Sequence, residues 1–323
     1  MRAVVCSKVG ELSDLEVGEV DAPALRPGCV KVAVAFAGLN YVDALFVQGR
    51  YQIKPPPPFV PGSEVAGVVV EVAEDVATLA VGDRVVASVG LGGYAAEVVV
   101  AASGATVIPD GLSLAAAAGM TQSYSTALYA LRDRAHVSAG EVVLVLGAGG
   151  GVGVASVQVA SALGARVLAV ASSDAKKQLA LAAGAEVVLE ADPATLKDAA
   201  REAAGGGVDV VVDPVGDAFT EPALRSLGYL GRLLVIGFAG GEIPSVPVNQ
   251  VLLRNRSLIG IDWGAWGMQH PDAQAALLGD LMAMVAAGTI APPEPKAYPL
   301  EAAREALGDL LGRRVAGKAV LAI

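Results

Sequence analysis

Between Val142 and Ala165 the chain carries no charged residue, and the middle of that stretch reads Gly147-Ala148-Gly149-Gly150-Gly151-Val152-Gly153. The run is long enough to cross a bilayer, but the glycines break it, and Ser156, Gln158 and Ser161 follow at helical spacing. A strand over 142–146, a glycine turn, and a buried helix over 152–163 stopped by Gly164 account for it better. The same rhythm continues downstream. Strands are predicted over 167–170, 187–189, 208–213, 233–237 and 258–262. Helices are predicted over 174–183, near 193–203 and around 218–227, with Asp174 as an N-cap and Gly184 just past its helix. Strands alternating with helices of this length make an α/β fold with a parallel, doubly wound sheet covered on both faces.

A glycine turn that follows a strand and opens a helix is where a dinucleotide pyrophosphate is held. Small residues let backbone N–H groups approach the phosphates at the positive helix end. The pattern here is Ala148-x-Gly150-x-x-Gly153, a variant of the usual triple glycine, which a tight structural turn also satisfies. The end of the next strand discriminates further. NAD sites place a carboxylate there for the ribose 2′-hydroxyl, whereas this chain reads Ser172, Ser173, then Lys176 and Lys177. Hydroxyls and an ammonium suit a 2′-phosphate, so NADPH is the expected cofactor. Asp174 fits this picture as a helix cap.

The first third reads differently: β-branched strands over 30–36, 65–72 and 85–89, no long helical period before about residue 113, and a stiff Pro55–Pro58 loop. Beyond residue 263 come helices near 272–287 and 300–311, then a final strand over 318–323. At 323 residues the length suits about two domains. With 54% apolar and 17% charged residues the chain is not disordered. A net charge of −10 argues against a nucleic-acid partner, and the N-terminus, interrupted by Lys8 and Glu11, lacks a signal-peptide core. A cytoplasmic protein with no membrane span is expected. Two cysteines, Cys6 and Cys29, and two histidines, His136 and His270, leave little from which to build a zinc site. The cysteines fit buried apolar positions, and the histidines fit the surface.

Several segments together resemble the medium-chain dehydrogenase/reductase superfamily: AGLNYVDALFVQGRY (37–51), VPGSEVAGVV (60–69), VGDRVV (81–86), GAGGGVG (147–153), DPVG (213–216) and GFAGG (237–241). Within it the chain is similar to the zinc-independent quinone oxidoreductases, including zeta-crystallin-like proteins, over essentially its whole length. Zinc-dependent relatives have a cysteine and a histidine where this chain has Asn40 and Ser63. Glu64 remains, and the structural-zinc cysteines are absent from 91–103. No metal is therefore expected. Without a Lewis acid the expected substrate is already electrophilic, a quinone or another α,β-unsaturated carbonyl compound.

The resemblance implies a β-rich GroES-like substrate domain over 1–125 and 263–323 and a Rossmann cofactor domain over 126–262, with NADPH and substrate in the cleft between them. It implies catalytic roles for Asn40, Asp43 and Tyr51, with Asn40 and Tyr51 also touching the cofactor. Cofactor contacts are further implied for Thr126, for Gly149, Gly150, Gly151 and Val152 at the pyrophosphate, and for Ser172, Ser173 and Lys176 at the 2′-phosphate. Ile236, Gly237, Phe238 and Ala239 are implied beneath the nicotinamide. Leu45 stands where several members have a cleft tyrosine, leaving the proton donor open between water and a tyrosine hydroxyl; Ala191 replaces a residue that borders the adenine. Asn40 also fits a turn cap, Asp43 a residue that orders its own loop, Tyr51 rim packing, and Trp263 and Trp266 either cleft or core. A homodimer through the 257–262 edge strand is implied. An enoyl-thioester reductase, or an idle NADPH-binding crystallin-like protein, are the competing readings.

Overall fold

The computed structural model describes residues 1–323 and divides into two compact units. One comprises residues 1–122, 270–288 and 292–323, the other 123–269 and 289–291.

The second unit holds a six-stranded, wholly parallel sheet. Its strands lie in the order Val187–Glu190, Arg166–Ala171, Val142–Val145, Val208–Asp213, Leu227–Val235, Ser257–Gly260. Val142–Val145 is apolar at every position and buried throughout, as a central strand covered on both faces must be. Leu144, Leu168, Leu196, Val211, Leu224 and Leu233 meet in one core. The chain runs outward from Val142–Val145 in one direction through Arg166–Ala171, then returns to pair Val208–Asp213 on its other side. This reversal is the switch point at which doubly wound sheets bind ligands, beyond the C-terminal ends of the strands.

Local differences from the predicted elements have physical causes. Ser173, not Asp174, is the cap: its carbonyl accepts the first helical bond from the Lys177 N–H at 2.8 Å, and Asp174 begins the helix with its carboxylate exposed. The helix expected around 218–227 is a short 3-10 turn, Asp217–Phe219, followed by Thr220–Ser226. The strand expected over 233–237 runs Leu227–Val235. The last strand stops at Gly260, because Asp262 turns to cap the helix Trp263–Gln269, accepting from the Ala265 N–H at 3.0 Å. Trp263 is buried, and Trp266 stacks on Tyr129 at 4.6 Å. No helix is long and apolar enough to cross a membrane.

The first unit is built on the long strand Cys29–Gly38, which pairs antiparallel with Glu64–Val72, Glu97–Ala101 and Ala319–Ala322. Val30, Val32, Val65, Val69, Val85 and Leu321 fill its core, along with Cys6. A short helix, Tyr41–Val47, follows the long strand directly. At seven residues it is too brief to show a helical period in the sequence.

Candidate active site

Strand register gathers the polar side chains of the first unit. Val320 pairs with Gly38, so the antiparallel register carried two residues further sets Lys318 opposite Asn40. On the other side Val65 pairs with Ala37, which brings Glu64 beside Gly38. The Lys318 ammonium donates to the Glu64 Oε1 at 2.9 Å, the Asn40 Oδ1 at 2.7 Å and the Leu39 carbonyl at 3.0 Å, which uses its three donors. Asn40 Nδ2 donates to Glu64 Oε1 at 2.8 Å and to Ser63 Oγ at 3.3 Å. Ser63 Oγ in turn lies 2.9 Å from Gln122 Oε1, and the Gln122 backbone N–H donates to Glu64 Oε2 at 2.7 Å. Glu64 has no exposed surface, and its buried charge is balanced by the ammonium.

Asp43 lies under this cluster, fully buried. Its Oδ2 accepts from the Asn40 N–H at 2.9 Å, one arm of a capping box, and from the Tyr94 hydroxyl at 2.9 Å, while Oδ1 has no partner. Burial is the main reason its pKa rises from 3.8 to about 6; the hydrogen bonds oppose the shift and Glu64 adds to it. Burial, reinforced by Asp43, likewise pushes the Tyr94 hydroxyl well up. Tyr51 is half-buried with its ring edge-on to Phe46 at 4.9 Å.

In the second unit the remaining candidates, Thr126 apart, collect at the C-terminal ends of parallel strands. The helix Gly151–Ala162 starts from Gly150, and its first N–H groups have no intrahelical acceptor. A side chain on Gly153 would put Cβ 2.1 Å from the Gly147 carbonyl oxygen, so only glycine lets the helix begin this close to the strand. Gly149 packs against Lys176: a Cβ there would stand 2.3 Å from the Lys176 Cβ. The lysine is thereby seated on the turn, with exposed Ser172 and Ser173 just before its helix. Lys177 is paired with Glu190. The turn is therefore a backbone cradle with an ammonium stem at its side, a donor set that fits a dinucleotide bearing a 2′-phosphate.

The loop Ile236–Ala239 is tied to the DPVG segment. The Ile236 N–H donates to the Asp213 carbonyl at 2.9 Å and the Ala239 N–H to the Pro214 carbonyl at 3.1 Å. The buried Asp213 carboxylate holds that segment in turn, accepting from Val215 and Gly216 N–H groups at 2.9 and 2.8 Å and from Thr220 Oγ1 at 2.6 Å. Thr126 is buried in the helix Thr121–Leu128. Leu45 and Ala191 are both half-buried.

The family model described as "Alcohol dehydrogenase GroES-like domain" matches residues 26–110, and that described as "Zinc-binding dehydrogenase" matches residues 151–278. The bovine (Bos taurus) quinone oxidoreductase-like protein 2 is 40% identical over 325 residues, spanning 100% of this chain and 92% of the bovine one. This chain is a quinone oxidoreductase family member. The family belongs to the medium-chain dehydrogenases/reductases, and the two units have its Rossmann-type and GroES-like folds. The Escherichia coli quinone oxidoreductase, solved in complex with NADPH, superposes with a TM-score of 0.88 at 28% identity, covering 100% of both chains. The CurK enoyl reductase superposes at 0.89 with 25% identity, covering 99% of this chain and 98% of that one.

In this quinone oxidoreductase family member no three His, Cys, Asp or Glu side chains are grouped to hold a metal ion. Lys318, Gln122 and Tyr94 are absent from the candidates drawn from the sequence. Only Lys318 left a signal there, as the one charge opening an otherwise apolar C-terminal strand.

Proposed function

We propose that this chain is an NADPH-dependent, zinc-free reductase of quinones or related α,β-unsaturated carbonyl compounds. The observation that carries the reading is the Lys318–Glu64–Asn40 constellation. An ammonium hydrogen-bonded to Glu64 and to the residue at a zinc-ligand position supplies a fixed positive charge where a metal would otherwise supply it. An amide and a hydroxyl, Asn40 and Ser63, in place of thiolate and imidazole are poor zinc ligands.

The chemistry that NADPH supplies when bound is a hydride. The N–H groups of Gly149 to Val152 hold the pyrophosphate, while Ser172, Ser173 and Lys176 recognise the 2′-phosphate. The loop Ile236–Ala239, braced by Asp213, supports the nicotinamide, and Thr126 packs near it. Asn40 and Asp43 act as positioning groups, since the Asn40 amide is engaged on both sides and Asp43 is out of reach of solvent. Proximity and orientation of an acceptor that needs no metal activation then carry the rate. Water or the Tyr51 hydroxyl delivers the proton. A second copy of the chain pairs along the open edge of the strand Ser257–Gly260, and the protein works in the cytoplasm.

The likeness to an enoyl reductase over nearly the whole chain supports a second reading, reduction of an enoyl thioester. Steady-state NADPH oxidation with para-benzoquinone, cyclohexenone and crotonyl-CoA separates the two. Turnover of the first two supports the proposal. Turnover of the thioester alone moves the assignment to the enoyl class, and NADPH binding without turnover of any of the three leaves an idle cofactor-binding protein.

A further inference from the structure

Hydrogen-bonding chemistry fixes the direction of the links among Lys318, Asn40 and Glu64 in the polar cluster of the first unit. An ammonium can only donate, so the Asn40 atom 2.7 Å from Lys318 Nζ is the amide oxygen. A carboxylate can only accept, so the Asn40 atom 2.8 Å from Glu64 Oε1 is the amide nitrogen, which agrees. That nitrogen also donates to Ser63 Oγ, which in turn reaches Gln122 Oε1 at 2.9 Å, with the Asp43 carboxylate as a second acceptor for its one hydrogen. In the structure Gln122 presents its amide oxygen to that hydroxyl. Its Nε2, the last group of the chain, therefore carries two N–H bonds away from the cluster, on a side chain that remains partly exposed. The Gln122 backbone N–H, anchored on Glu64 Oε2 at 2.7 Å, fixes where that side chain begins.

Resting on the reductase reading above, we propose that Gln122 Nε2 is the hydrogen-bond donor to the substrate carbonyl oxygen. Lys318, acting through Asn40 and Ser63, strengthens that donor. Two amides and a hydroxyl aligned head to tail polarise one another in one sense, away from the buried ammonium. Glu64 neutralises the ammonium, so what reaches the far end of the relay is polarisation of the hydrogen bonds and not net charge. Gln122 keeps its protons throughout. It stabilises negative charge developing on the oxygen as hydride arrives at carbon, and the proton that completes the reduction comes from elsewhere. Asn40 and Ser63, at two zinc-ligand positions of the metal-dependent relatives, become links in a donor relay.

Ser63→Ala cuts the relay while leaving Lys318, Asn40 and Glu64 in place, and Gln122→Leu removes its outer end. A weak electrophile needs the donor more than a strong one. For cyclohexenone Gln122→Leu should lower kcat by about 100–1,000-fold with little change in KM, as loss of one oxyanion donor does, and Ser63→Ala, which leaves the donor in place, by about 10-fold. For para-benzoquinone the loss should stay within about threefold, and the double variant should cost no more than Gln122→Leu alone. A second readout does not depend on turnover. The carbonyl stretch of cyclohexenone bound with oxidised NADP should lie lower in the wild type than in either variant, at unchanged melting temperature. Equal losses for both substrates, or an unmoved carbonyl stretch in both variants of an active enzyme, overturn the donor assignment alone. A wild type that reduces neither compound overturns the reductase reading, and the assignment with it.

Discussion

Asp43 shows how one buried carboxyl makes stability depend on pH. Its pKa is raised to about 6, mainly by burial, so the folded chain holds this proton more tightly than the unfolded one does. The group's contribution is most favourable below pH about 4 and declines as pH rises through about 6, by roughly 3 kcal/mol in all. In Asp43→Asn, which keeps an acceptor for Tyr94 and for the Asn40 N–H, that decline should vanish. Urea titrations at pH 4 and pH 7 measure most of it: the wild type should lose stability relative to the variant by about 2.4 kcal/mol between them. Equal differences at both pH values would mean that Asp43 is ionised throughout. Lys176 is the second residue, with recognition of the 2′-phosphate as its proposed task. Lys176→Glu sets a carboxylate against the 2′-phosphate and should weaken NADPH binding about 10–100-fold while changing NADH within about threefold. An unchanged NADPH/NADH ratio of dissociation constants would leave Lys176 no part in the choice of cofactor. At this scale the sequence shows only what stands out locally, such as the Ser172, Ser173 and Lys176 run, whose proposed role awaits that variant. It was silent where partners are distant in the chain: Lys318 meets Asn40 only because two strands pair in one register.

At the scale of elements, repetition made the second unit readable. The strand Val208–Asp213 has the predicted bounds, and the strands and helices from Val142–Val145 to Pro193–Ala204 shift by a residue or two at their ends. Parallel strands buried on both faces are continuous apolar runs that no neighbour needs to explain. The short helices Tyr41–Val47 and Trp263–Gln269 escaped because neither is long enough to display a period, and tertiary packing holds them. The cofactor turn is the element most open to a test. Gly153→Ala drives a methyl group into the Gly147 carbonyl oxygen, and backbone cannot give way as a side chain can. The helix start should shift, at a cost of about 1–3 kcal/mol in stability and at least tenfold in NADPH affinity, read by calorimetric titration. Unaltered affinity would show that the turn does not hold the pyrophosphate.

For the molecule as a whole, the open question is the sheet edge. The strand Ser257–Gly260 pairs on one side only, and Leu258 within it is 41% exposed, with Tyr229 at 67% and Leu230 at 57% in the same unit. Such an edge invites another chain. The Ile261 N–H donates inward to the Val235 carbonyl at 2.9 Å, so by alternation Ile259 also faces inward and Leu258 faces the open side. Leu258→Pro therefore removes an outward donor without touching the internal ladder, which proline at Ile259 would break. Light scattering should give a wild-type mass of about twice the 32.3 kDa chain and a variant shifted toward monomer. A monodisperse wild-type monomer at micromolar concentration would leave the edge without a partner copy.

Metal-free transfer of hydride from NADPH to an electrophilic carbonyl compound has a direct isotopic test. Enzyme dialysed exhaustively against chelator is given cyclohexenone and NADPH deuterated at C4 of the nicotinamide, in separate experiments for the two faces. Mass spectrometry of the product should find one deuterium on the carbon β to the carbonyl from one labelled face and none from the other, at the same rate as undialysed enzyme shows with the same cofactor. Activity lost on chelation and restored by zinc, or a product that carries no deuterium from either face, would contradict it.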